Sequence, residues 1–130
     1  MTNKEPYFFL SKNLRELKII IENIVFESNG CGIIYGDKKT GKTAFAKYLQ
    51  SANLRKKETI YINAKEIDLE NLNNLTNHII IIDDAHILTK NQINSIKPIC
   101  KDNFVIFITD KEYLVLLKEY LKDKNIKFTL

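Results

Sequence analysis

Gly36-Asp37-Lys38-Lys39-Thr40-Gly41-Lys42-Thr43 satisfies, in one unbroken run, the pattern G-x-x-x-x-G-K-[ST]. Its glycines let a backbone curl around a phosphate chain with no Cβ in the way. The amides so exposed, with the first turn of a following helix, form a pocket of positive potential. Lys42 can then reach the outer phosphates, and the Thr43 hydroxyl can ligate Mg²⁺. At ordinary residue frequencies the pattern arises by accident in well under about 1% of chains of this length.

The motif works only between a strand and a helix. Upstream, Gly32-Ile33-Ile34-Tyr35 is a short apolar strand that ends where the loop begins. Downstream, residues 43–50 are good helix formers, with Phe45, Tyr48 and Leu49 spaced for one buried face.

Further strands are expected at 59–63, 78–84, 104–109 and 126–130. Between them fall a short polar helix or loop to Asn77, a helix at 89–100 that Pro98 shortens or kinks, and a helix at 111–121. Ahead of the loop, Ser11 caps a helix whose face is Leu14, Leu17, Ile20, Ile21, Ile24 and Val25, ended by Ser28-Asn29-Gly30. Residues 1–10 form a loose lead-in that closes on Tyr7-Phe8-Phe9-Leu10, and 11–130 are a single domain.

Strands alternating with helices predict an α/β fold, a three-layer α/β/α sandwich on a five-stranded parallel sheet of the P-loop NTPase type. The first, third and fourth strands are continuous apolar runs, as strands covered on both faces are. The second and fifth mix in polar residues, as edges do. The order 5-1-4-3-2 puts those two at the edges.

At 130 residues the chain has room for one core of this kind and no second domain. A net charge of +4, with acids and bases interspersed, reads as a solvated surface rather than a nucleic-acid stripe. Cys31 and Cys100 stand alone, which fits two buried, reduced thiols in a cytoplasmic protein. The N-terminal residues lack the apolar core of a signal peptide, and the aliphatic run at 79–82 is far too short to span a bilayer.

Ile79-Ile80-Ile81-Ile82-Asp83-Asp84 is a second motif, an aliphatic strand ending in two carboxylates. In open α/β folds ligands bind at the C-terminal edge of the sheet, where Asp83 would emerge. Asp83 is the candidate to hold Mg²⁺ through water together with Thr43, and Asp84 the candidate to orient or deprotonate an attacking water. Thr109 and Asp110 end the fourth strand at that edge. Thr109 is assigned the contact with the γ-phosphate or attacking water, and Asp110 the cap of the next helix. His86 is expected to be solvated or capping, and His78 only to begin a strand.

The segments GIIYGDKKTGKTAFAKYL, HIIIIDDAHIL and FVIFITDKE together resemble the AAA+ core, and within it the bacterial replication-initiator group of DnaA and Hda, over about residues 8–130. The resemblance implies an ATP and Mg²⁺ site: Gly36, Asp37, Lys38, Lys39, Thr40, Gly41, Lys42 and Thr43 on the nucleotide, Thr43 and Asp83 on the metal, Asp84 and Thr109 in catalysis. It implies a role in DNA replication or its control through protein partners, with oligomers possible. The family's helical lid is not expected, since the chain stops after its fifth strand. The family's arginine finger is missing too: Arg15 and Arg55 are the only arginines, and Lys118, Lys122, Lys124 and Lys127 occupy the relevant stretch. Lysine lacks the bidentate fork that stabilises a transferring phosphoryl group, so weak hydrolysis is expected.

Two other readings stand beside this one. An adaptor of the clamp-loader kind would keep the fold as a scaffold without catalysis. A small P-loop kinase would need arginines around the phosphoryl group, and two are few. A GTPase would carry N-K-x-D, which is absent.

Overall fold

The computed structural model describes residues 7–9, 19, 29–36, 41–51 and 57–121. Strands β1 (Tyr7–Phe9), β2 (Gly30–Gly36), β3 (Thr59–Asn63), β4 (Ile79–Asp83) and β5 (Phe104–Asp110) pair in parallel in the order β1-β2-β5-β4-β3. Helices α1 (Lys42–Ser51), α2 (Leu69–Asn73), α3 (Lys90–Ile96) and α4 (Leu114–Leu121) lie between and after the strands.

Period-two alternation sorts the strand side chains onto two faces. Ile34 of β2, Ile79 and Ile81 of β4, and Phe104, Ile106 and Ile108 of β5 pack with Phe45, Ala46 and Leu49 of α1. The intervening residues Cys31, Ile33, Ile80, Ile82, Val105 and Phe107 pack on the other face against Ile93 and Ile96 of α3 and Leu117 and Leu121 of α4. Helices on both faces explain the unbroken apolar run of β4, in which Ile79, Ile80, Ile81 and Ile82 are all 0% exposed. Burying each is worth about 1.5–3 kcal/mol.

The four longer strands take the order expected from their composition, with the half-buried β3 outermost among the described residues. The fifth member differs. Tyr7, Phe8 and Phe9 pair with Ile33, Ile34 and Tyr35, while β5 holds the other edge of β2. The place beside the first strand therefore belongs to the apolar end of the expected lead-in, and 126–130 lie outside the described residues. Three β-prone aromatic residues suffice to pair there, although they are too few to show a period. Of the expected helix at 11–27, Ile19 alone is described, and it is helical.

A capping box between Thr89 and Gln92 starts α3. Pro98 then turns the chain into a 3₁₀ segment, Lys97–Lys101, which is the shortening expected of it. The helix expected at 111–121 begins as a 3₁₀ turn, Lys111–Tyr113. At the end of the sheet away from the loop, the buried Asn103 amide donates to Leu75 O and Ile99 O and accepts from His78 N–H.

Candidate functional site

β2 ends at Gly36 and α1 opens at Lys42, so the loop bridges the C-terminal edge of the sheet and a helix N-terminus. Gly36, Gly41, Lys42 and Thr43 fall among the described residues; Asp37, Lys38, Lys39 and Thr40 lie outside them. Gly41 has φ +82° and nothing within 4 Å of where a Cβ would stand. Glycine is needed there for the left-handed backbone, not for space. Its carbonyl accepts the Phe45 N–H at 2.9 Å and so starts the helix.

Lys42 and Thr43, adjacent on α1, meet different carboxylates. The Thr43 hydroxyl donates to Asp83 Oδ2 at 2.8 Å, and the Lys42 ammonium lies 3.1 Å from Asp110 Oδ1. Parity explains both. Asp83 continues the Ile79–Ile81 row and Asp110 continues the Ile106–Ile108 row, and those rows face α1.

Asp83 is 1% exposed and well supplied with donors. Besides Thr43, Oδ2 accepts the Tyr61 hydroxyl at 2.6 Å, and Oδ1 accepts the Asp84 N–H at 2.9 Å. Burial first, then the hydrogen bond to Asp83 and the charge of that carboxylate, push the Tyr61 phenol well above its ordinary pKa.

Asp84 leaves the strand in a left-handed conformation, φ 54° and ψ 42°. Its Oδ2 accepts from Asn63 Nδ2 at 2.8 Å, across the β3–β4 pairing that sets Asn63 beside Asp83. Asn63 also caps the 3₁₀ turn Ala64–Glu66 by accepting the Lys65 N–H. The amide is thus clamped at both ends, and it holds the Asp84 carboxylate in one place.

A cavity of about 390 Å³ opens over this edge, lined by Gly41, Lys42, Thr43, Asp84, His86 and Asp110 together with Ala44. Its size falls within the range of small-molecule sites. Thr109 does not line it. That side chain follows Val105 and Phe107 onto the α3–α4 face, where its Oγ1 is buried without a hydrogen-bond partner among the described residues.

The neighbouring Asp110 supplies the polar group at the cavity. Its side chain makes no capping bond, contrary to the expected role, because Lys42 holds one carboxylate oxygen and His86 Nδ1 stands 3.9 Å from the other. His86 is accordingly a cavity residue. Tyr61 and Asn63 were missed from the sequence because they reach the site from the edge strand, across the sheet.

The donor set suits a hard divalent cation. A hydroxyl and a buried carboxylate 2.8 Å apart offer oxygen only, as Mg²⁺ prefers. No group of three or more His, Cys, Asp or Glu among the described residues is placed to hold a metal ion by itself. A cation at Thr43 and Asp83 would therefore complete its shell from phosphate oxygens and water.

No described helix is long and apolar enough to cross a membrane. Compared with protein-family models and with curated proteins, the chain matches none of them.

Proposed function

We propose that this protein binds ATP with Mg²⁺ at the Gly36–Thr43 loop, as an AAA+-like P-loop module of the DnaA/Hda kind. It would act in the cytoplasm, in DNA replication or its control, through protein partners. The observation that carries the nucleotide site is the convergence of Lys42 and Thr43 with the buried Asp83 at one sheet edge. The replication role and the adenine preference rest on sequence resemblance.

In this reading Lys42 leaves Asp110 and neutralises the outer phosphates. Thr43 would offer its oxygen to the cation while its hydroxyl goes on donating to Asp83. A Mg²⁺ held there would supply charge neutralisation for the phosphates. Asp84 is the base for an attacking water, and Asn63 restrains it. Asp110, in place of Thr109, is the polar group of β5 that faces the phosphates. A restrained, short carboxylate and the scarcity of arginine both favour slow turnover.

Calorimetric titration with ATP, ADP and GTP in Mg²⁺ tests this. Lys42→Ala should abolish binding, Asp83→Asn should weaken only its Mg²⁺-dependent part, and Asp84→Asn should bind normally without turnover. Unchanged affinity in Lys42→Ala would remove the site assignment.

The adaptor reading draws on a specific observation: Lys42 and Asp84 already have protein partners. Thermal unfolding separates the two readings, because a ligand that binds the native state raises the melting temperature by mass action. No rise in saturating Mg²⁺-ATP would favour the scaffold.

A further inference from the structure

The Asp83 carboxylate carries a donor that the loop and its helix do not explain. Each carboxylate oxygen offers two lone pairs. On Oδ2 both are taken, by Thr43 at 2.8 Å and Tyr61 at 2.6 Å. On Oδ1 the Asp84 N–H takes one. Among the described residues, the second lone pair of Oδ1 is the one left over.

Tyr61 reaches this buried acid from β3, and its ring packs against the α1-side core. A phenylalanine would pack as well; the hydroxyl is the addition. The Lys47 ammonium of α1 lies 5.8 Å from the ring centroid and helps to hold the ring in place.

We infer that Tyr61 is a positioning residue for the cation side of the site. Its hydroxyl, with that of Thr43, fixes the rotation of the Asp83 carboxylate, and this leaves Oδ1 to accept from water on a divalent cation. Partners of metal-site carboxylates act in this way: they order the acid, and losing one weakens the metal more than the fold. The inference deepens the Mg²⁺-nucleotide reading of the site and rests on it.

The test compares wild type with Tyr61→Phe, which removes one oxygen, by calorimetric ATP titration of the whole chain in Mg²⁺ and in EDTA. The gain in affinity conferred by Mg²⁺ should fall about tenfold, while the metal-free affinity stays within about twofold. An unchanged gain overturns the role. So does an equal loss in both media, which would make Tyr61 a packing residue. Absence of any Mg²⁺ gain in wild type instead overturns the metal reading, and this role with it. Should Tyr61→Phe fold poorly, Lys47→Ala on the exposed side of α1 asks the same question. A reduced Mg²⁺ gain there supports the role, and a full gain overturns it.

Discussion

The Lys42 ammonium lies 3.1 Å from Asp110 Oδ1, with both side chains largely shielded from water. The loop lysine is therefore engaged with a carboxylate before any phosphate arrives. In the proposed reading a phosphate would compete with that carboxylate and share a cavity with its negative charge. Asp110→Asn should tighten Mg²⁺-ATP binding about tenfold, as removal of one close like charge predicts. Calorimetry reads this directly; weaker binding would make Asp110 a contributor to the site rather than a competitor.

Asn63 restrains Asp84 and caps the turn that follows β3. Asn63→Ser keeps a capping oxygen for the Lys65 amide and removes the reach to Asp84. ATP affinity should hold while turnover, followed by phosphate release, rises several-fold above a slow wild type. Turnover that fell instead would mean that Asn63 orients the base productively.

Thr109 offers a contrasting case. Its hydroxyl is buried without a partner among the described residues, so it costs desolvation and returns nothing there. Thr109→Val should leave nucleotide binding unchanged and raise stability by up to about 1 kcal/mol in chemical denaturation. A loss of binding would return Thr109 to the site.

Gly41→Ala meets no steric obstacle, yet φ +82° disfavours any residue with a Cβ. Destabilisation of about 1–2 kcal/mol is expected from the backbone alone. Weaker ATP binding should accompany it, because the same turn starts α1. Melting temperature and ATP titration on one sample check both effects.

Raised phenol pKa values have a definite sign in the pH dependence of stability. Burial pushes up Tyr113 as well as Tyr61, so the native state keeps protons that the unfolded chain releases near pH 10. That contribution is complete below the unfolded pKa and is lost as pH rises through the folded values. Stability should fall from about pH 10 upward, and Tyr61→Phe should flatten part of the fall in an alkaline denaturation series.

How far the sequence could be read depended on how locally each feature is encoded. The isoleucine run ending at Asp83 announced its strand because burial on both faces demands an unbroken apolar string. The mixed composition of 59–63 announced an edge for the complementary reason. Pro98 marked the end of a helix through its own ring. The choice between Thr109 and Asp110 turned on which parity of β5 faces α1. That is a property of packing, although the Ile106–Ile108 row carries the clue. Asn63 and Asp84 are 21 residues apart and meet only once β3 lies against β4. Tyr7–Phe9 is too short for any period to declare it.

The left-handed backbone at Asp84 also bears on which acid can stand there. Aspartate and asparagine visit that region far more readily than longer side chains, because their short polar groups can bond locally. Here the turn itself selects the shorter acid. Asp84→Glu would thus do two things at once, extending the carboxylate by a methylene and straining the bend that carries it. The reach of this carboxylate and the shape of the chain beneath it are set together.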